Sequence, residues 1–96
     1  MINLEKCFTK NPALVFRKIG EEFMLVPVFN NVADMDSIFV LNEVGGRIWE
    51  LIDGTTPVGG IRDIICREFE VTPQEAEVDI VEFIQQLNCI GGLQAL

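Results

Sequence analysis

The sequence contains no histidine, few cations and no long hydrophobic run, and each absence disfavours a class of function. Without histidine, the chain lacks the usual general base, the commonest metal ligand and every Ser-His or Cys-His dyad. Seven Lys and Arg residues against fifteen Asp and Glu residues give a net charge of −8, which repels nucleic-acid phosphates and anionic lipids. The longest apolar stretches, Phe23 to Phe29 and Ile38 to Leu41, are much shorter than the roughly 20 residues of a membrane span. We therefore expect no catalysis, no nucleic-acid partner and no membrane partner.

Cysteine is also scarce, and its spacing indicates the compartment. Cys7, Cys66 and Cys89 are odd in number and far apart, unlike the close pairs of zinc ribbons and redox motifs. We expect small, buried or half-buried thiols in a reducing compartment, and Met1 to Pro12 lacks the apolar run of a signal peptide. The sequence therefore predicts a cytoplasmic protein without a cofactor or metal. Its 96 residues suit one domain, residues 1–96.

The first half of the chain has the composition of β-strands. Val, Phe, Leu and Ile are concentrated in residues 13–19, 22–29 and 36–41, and the loop over Asn30 to Met35 is polar. Gly20 and Glu21 join the first two strands in a spacing that suits a type II′ hairpin turn. The simplest arrangement is a three-stranded antiparallel meander.

The second half has the period of amphipathic helices. The pattern predicts helices over residues 43–52, 58–70 and 73–87, with Asn42 as the first N-cap and Thr72 opening a capping box before the third. Three strands followed by three helices indicate an α+β fold. The close spacing of the second and third helices makes that fold similar to a winged helix-turn-helix.

The third strand and the third helix carry the features of a binding surface. Residues 37–41 have no charge and no proline to discourage pairing at an open sheet edge, which also permits a homodimer through that edge. On the third helix, the predicted core stripe consists of Ala76, Ile80, Phe83, Ile84 and Leu87. Val78 and Val81 fall outside this stripe and widen the apolar surface toward the strand. Together these features predict peptide binding by strand addition. The predicted site comprises Ser37, Ile38, Phe39, Val40 and Leu41 for backbone pairing, and Val78, Val81, Ile84 and Gln85 for the facing groove.

The run from Leu41 to Gly54, LNEVGGRIWELIDG, resembles the signature of the PqqD family, the pyrroloquinoline quinone biosynthesis protein D group, also called RiPP recognition elements. Later matching residues are Val58, Ile61, Phe69, Glu70, Val71, Asp79, Phe83 and Leu87. The resemblance covers about residues 12–93. It departs from the family where Pro57 and Gly60 stand in place of a capping Thr and an acidic residue, so we expect the second helix to fray at its start.

The resemblance implies a fold similar to winged helix-turn-helix domains and a role as a peptide chaperone. Such proteins bind the leader segment of a ribosomally made precursor peptide, which adds to the third strand and lies against the last helix. They present it to a modifying enzyme, in the best-known case a radical S-adenosylmethionine enzyme. The iron–sulfur cysteine motif of that enzyme is absent, so we expect a freestanding carrier. For the signature residues Asn42 and Trp49 we expect structural roles.

Three other functions compete with peptide binding. A winged-helix transcriptional regulator needs Lys and Arg side chains to bind DNA phosphates. The charged residues of the third helix are all acidic, and they include Glu75, Asp79 and Glu82. Those three carboxylates lie on one helical stripe, an arrangement that suits a site for a hard cation, but a solvated helix face is the preferred interpretation. A small acidic enzyme would depend on Cys66, which has no base beside it in sequence. The remaining alternative is a small protein–protein interaction domain.

Overall fold

The computed structural model describes residues 3–29, 32–33, 38–89 and 92–95. Along these ranges the main-sheet strands precede the three helices, as the two halves of the sequence predict, and three further short strands are present, two of them near the ends of the described ranges. In chain order they are β1 (Phe8–Lys10), β2 (Leu14–Ile19), β3 (Glu22–Phe29), β4 (Val32–Ala33), β5 (Phe39–Leu41), α1 (Glu43–Leu51), α2 (Val58–Phe69), α3 (Pro73–Cys89) and β6 (Leu93–Ala95).

The main sheet has β3 at its centre, with β2 and β5 antiparallel to it on either side. This confirms the predicted three-stranded antiparallel sheet, although the strand predicted over residues 36–41 is described only from Ile38 onward. The predicted loop over residues 30–35 contains β4, which pairs with the last two residues of β3. The sequence analysis missed β4 because two residues are too few to show an alternating pattern.

Side chains of the sheet alternate between a core face and an outer face. Leu25 of β3 and Leu41 of β5 are buried, whereas Val40, between two inward-facing residues, is 62% exposed. At the β2–β3 turn, Gly20 has a φ of +62°, as the first central position of a type II′ turn requires. The hairpin and its turn therefore agree with the prediction.

A second, two-stranded sheet joins the two ends of the described chain. β1 and β6 are antiparallel, with Phe8 opposite Ala95 and Lys10 opposite Leu93. Leu93 is buried. The sequence predicts strands at neither β1 nor β6. Three-residue strands that pair across the whole chain length leave no local signal, because pairing partner and register are set only in the folded state.

The first and third helices begin at the predicted caps. The side chain of Asn42 accepts a hydrogen bond from the Gly45 N–H (2.7 Å), and the Thr72 hydroxyl accepts one from the Glu75 N–H (3.2 Å). The helix α1 ends one residue earlier than predicted, and α3 continues two residues further, to Cys89. The predicted core stripe of α3 is confirmed, since its five members are buried: Ala76, Ile80, Phe83, Ile84 and Leu87.

The helix α2 begins after Pro57 without a side-chain cap, as its sequence implies, but its first turn has other partners. The Val58 N–H donates to the Lys6 carbonyl (3.0 Å), and the Gly59 N–H donates to the Leu4 carbonyl (2.8 Å). A Cβ on Gly59 would lie 3.2 Å from the Leu4 carbonyl oxygen, so glycine allows this approach. The expectation of a frayed start is therefore corrected: residues 4–6 satisfy two of the orphan donors of the helix.

This arrangement predicts that removing residues 1–7 destabilises the start of α2. Two backbone hydrogen bonds and the Leu4 contact are lost, and we expect the free energy of unfolding to fall by about 2 to 4 kcal/mol. Amide hydrogen exchange of Val58 and Gly59 should accelerate more than that of Ile61, whose N–H bonds within its own helix region, to Pro57. The variant Leu4→Ser retains both carbonyls and serves as the control. Unchanged protection of the two amides in the truncated chain would contradict the capping role.

The loop between α1 and α2 is organised by one carboxylate. Asp53 accepts hydrogen bonds from the backbone N–H groups and the hydroxyls of both Thr55 and Thr56, at 2.7 to 3.0 Å. These bonds, led by that of the Thr55 N–H, hold the pKa of Asp53 well below its usual range. The next residue, Gly54, has a φ of +83° and donates its N–H to the Phe8 carbonyl. The Asp-Gly end of the signature therefore connects the helical half to β1.

We predict that Asp53 stabilises the fold in a pH-dependent manner. Because the folded-state pKa is lowered, the stabilisation is complete above the unfolded-state pKa of about 3.9 and is lost as the pH falls toward the folded-state value. The variant Asp53→Asn should therefore melt at a lower temperature than the parent at pH 7, and the two melting temperatures should converge toward pH 2. A constant difference across this range would contradict the assignment.

Candidate functional site

A groove of about 200 Å³ lies between β5 and α3, with the start of α1 at its base. All three residues of β5 border it, although their side chains alternate between the two faces of the sheet. The groove therefore runs along the edge of the strand. Its lining residues are Phe39, Val40, Leu41, Asn42, Val44, Gly45, Ile48, Asp79, Glu82, Phe83 and Gln86.

The apolar part of the groove includes two phenyl rings. Phe39 of β5 and Phe83 of α3 meet edge to face, with ring centroids 6.3 Å apart and an interplanar angle of 74°. Gly45 brings α1 close to this pair, because a Cβ at that position would lie 3.3 Å from the Phe83 ring. Half-buried Val44 and buried Ile48 extend the apolar lining along α1.

The edge of β5 is open on the side of the groove. β5 pairs with β3 through Phe39, Val40 and Leu41, and no strand within the described ranges pairs with its other edge. Such an edge presents backbone donors and acceptors to an incoming chain. The geometry allows an extended peptide to form backbone hydrogen bonds with β5 while its inward side chains contact the phenyl rings.

The outer rim of the groove is polar and negatively charged. Asp79, Glu82 and Gln86 of α3 are exposed, and no Lys or Arg lines the groove. The ion pairs of α1 and α2 lie elsewhere: Arg47 binds Glu68 through two hydrogen bonds of 2.7 and 2.9 Å. This bidentate pair raises the pKa of Arg47 and lowers that of Glu68, chiefly through the hydrogen bonds between them.

The predicted site residues divide between two surfaces. Of the strand residues, Phe39, Val40 and Leu41 line the groove, half-buried Ile38 precedes β5 without lining it, and Ser37 lies outside the described residues. The helix residues do not meet them there. Val78, which is 55% exposed, and half-buried Val81 line a neighbouring shallow depression on α3 that meets the groove at Glu82.

The two other predicted helix residues also lie outside the groove. Ile84 is 1% exposed and belongs to the core, and Gln85 is exposed on the surface of α3 without lining the groove. The structure instead brings the opposite flank of the core stripe to β5: Asp79, Glu82, Phe83 and Gln86. Their spacing of i, i+3, i+4 and i+7 was available in the sequence, but periodicity does not indicate which flank of a helix faces a particular strand.

Other sites considered in the sequence do not assemble in the structure. The described residues contain no group of three or more His, Cys, Asp or Glu side chains that could hold a metal ion. All three cysteines are free; Cys7 and Cys66 are half-buried and Cys89 is exposed. Over the same described ranges, no helix has the length and hydrophobicity needed to cross a membrane.

The fold and the groove define an α+β domain whose open strand edge borders an apolar groove beside its last helix. Its particular family follows from sequence comparison. The chain belongs to the PqqD family, described as Coenzyme PQQ synthesis protein D, whose family model matches residues 32–90, more than half of the chain. The resemblance inferred from the LNEVGGRIWELIDG run is thereby confirmed.

A solved structure supports the same relationship. TbiB1, determined in complex with the TbiA(beta) leader peptide, is 28% identical in sequence and superposes with a TM-score of 0.71. The match covers 90% of this chain and 94% of the TbiB1 chain. Among curated proteins, no significant match to this sequence was found.

The contacts of Phe83 predict a large structural contribution from this ring. Phe83 is 6% exposed and contacts both Phe39 and Gly45, so Phe83→Ala should lower the free energy of unfolding by about 3 to 5 kcal/mol. Phe83→Leu retains most of the volume and should cost less than about 1.5 kcal/mol. Chemical denaturation provides the measurement, with Val78→Ala as an exposed control on the same helix. Equal losses for Phe83→Ala and Val78→Ala would contradict this packing.

Proposed function

We propose that this chain binds the leader segment of a ribosomally made precursor peptide in the groove between β5 and α3. The leader adds to β5 as a further antiparallel or parallel strand, and its inward side chains occupy the apolar groove. The bound leader is then presented to a modifying enzyme, a radical S-adenosylmethionine enzyme in the form we favour. The chain itself supplies binding and positioning and performs no chemistry.

The observation that carries this proposal is the coincidence of an open β5 edge with an apolar groove on the same side of the strand. Family membership and the similarity to TbiB1, whose structure contains a leader peptide, support a peptide as the occupant. The net charge of −8 and the absence of cations from α3 favour this function over a DNA-binding regulator.

The energetics require both the edge and the groove. β5 has only three residues, so an added strand gains a few backbone hydrogen bonds, each worth about 0.5 to 1.5 kcal/mol net. Ordering a disordered leader costs about 2 to 5 kcal/mol, which offsets most of that gain. Apolar side chains of the leader that enter the groove must therefore supply the remaining affinity. Removing apolar surface from the groove should weaken binding without unfolding the domain.

We predict different effects from two matched substitutions, Val44→Gln and Val81→Gln. Both valines are half-buried on helices, but Val44 lines the groove and Val81 lines only the neighbouring depression on α3. Placing an unpaired amide in the groove should weaken leader binding by about tenfold or more. The change at Val81 should alter the dissociation constant by less than about twofold. Fluorescence anisotropy with labelled N-terminal segments of precursor peptides encoded beside this gene provides the measurement.

The result separates the two surfaces. Loss of binding in Val81→Gln with retention in Val44→Gln would assign the peptide to the Val78 and Val81 depression and overturn the groove proposal. Backbone N-methylation of the bound leader tests strand addition independently, because only alternate amides of an added strand face β5. Equal tolerance of N-methylation at every position would contradict strand addition.

The presentation role is tested with the modifying enzyme encoded in the same gene cluster. If this chain delivers the leader, the enzyme should modify the full precursor faster in its presence, and Val44→Gln should reduce that stimulation. The rate of modification of a core peptide that lacks the leader should be changed neither by the parent chain nor by Val44→Gln. Stimulation that survives without the leader would contradict this role.

A further inference from the structure

We infer that the groove selects a leader with a cationic side chain, Lys or Arg, at one particular inward-facing position. This inference rests on the proposed function and concerns the chemistry of the occupant. Its basis is the pair of carboxylates that α3 places on the groove rim, Asp79 and Glu82.

The two rim carboxylates have no partner within the part of the chain that the structure describes. None of the three arginines of the helical half lines the groove: Arg67 lies off it, Arg47 pairs with Glu50 and Glu68, and Arg62 pairs with Asp63 and Glu77. By contrast, among the described residues neither Asp79 nor Glu82 forms a salt bridge or a hydrogen bond through its exposed side chain. Both carboxylates are therefore free to pair with a cation of the bound molecule.

The apolar floor gives these carboxylates more influence than ordinary surface charges have. A peptide in the groove covers Phe39 and Phe83 and excludes water from the space beneath the rim. A neutral or acidic side chain brought beside Asp79 and Glu82 would then lose hydration without gaining a partner or would be repelled, whereas a cation gains a charge-assisted contact. The rim carboxylates therefore attract cationic side chains of the peptide and also disfavour neutral and acidic ones.

The spacing limits this preference to a single position of the leader. Asp79 and Glu82 are separated by about 4.5 Å along the axis of α3, at a rise of about 1.5 Å per residue. Successive inward side chains of an extended strand are about 6.6 to 6.8 Å apart. One Lys or Arg therefore lies within reach of both carboxylates. The next inward side chain along the helix meets Gln86, about 6 Å beyond Glu82, where no charge is required.

The experiment uses a library of random twelve-residue peptides displayed on their own mRNA and selected on the full chain. Selections run in parallel on the parent, on Asp79→Asn/Glu82→Gln, and on Glu5→Gln/Glu21→Gln. The last variant changes the net charge equally, but at exposed residues that do not line the groove. Val44→Gln identifies which recovered peptides bind in the groove.

In peptides recovered on the parent and lost on Val44→Gln, Lys or Arg should be enriched at one aligned position, two residues from an apolar position. The enrichment should persist on Glu5→Gln/Glu21→Gln and disappear on Asp79→Asn/Glu82→Gln. Peptides with this cation should bind the rim variant about fivefold more weakly than the parent at low salt, and the difference should shrink as salt is raised.

Each other outcome overturns one proposal or both. Groove-dependent peptides without a cationic position, or with an acidic one, would overturn the charge preference and leave leader binding in the groove intact. A cationic enrichment spread evenly over all positions and lost equally on both double variants would reflect only the net charge of the chain, and would also overturn it. Recovery of no peptide that distinguishes the parent from Val44→Gln would overturn both the preference and the proposed function.

Discussion

The approach of α1 to two phenyl rings is the contact on which the rest of the domain depends. Gly45 faces the ring of Phe83 on α3, and Gly46 faces the ring of Phe23 on β3, and a Cβ at either position would lie 3.3 Å from its ring. The helix α1 therefore packs between the sheet and α3, at a distance that residues larger than glycine at these two positions would increase. Because Phe83 also contacts Phe39, the same contact sets the width of the groove beside β5.

A short connection links the packing of α1 to the open edge of β5. Only Asn42 separates the end of β5 from the start of α1, and its side chain is committed to capping the helix. The one-residue connection thus holds the strand edge next to the start of α1, and α3 faces them across Phe83. An extended chain in the groove meets a backbone edge, an apolar floor and an acidic rim in fixed relation. Such preorganisation reduces the ordering cost of binding to that of the peptide itself.

Much of this architecture was predictable because it depends on local signals. Caps at Asn42 and Thr72, the Gly20 turn and the core stripe of α3 each reflect interactions within a few residues of one another. The sequence does not show which flank of α3 faces β5. Val78 and Val81 lie on the other flank, and because they are apolar they fit a groove equally well. Only the tertiary structure determines which flank faces the strand. The ring of Phe83, which was correctly assigned to the core, lies on the side of α3 that faces β5. The Leu4 and Lys6 carbonyls that cap α2 are backbone groups and leave no trace in the pattern of side chains.

The pairing of β1 with β6 has a consequence for the connectivity of the fold. Residues opposite one another in an antiparallel pair have Cα atoms only about 4.5 to 5.5 Å apart, so Phe8 and Ala95 are close neighbours in space. Pairing with β6 holds β1 in place, and the residues just before β1, Leu4 and Lys6, cap α2 through their carbonyls. Loss of β6 would therefore also release the partners of the first turn of α2.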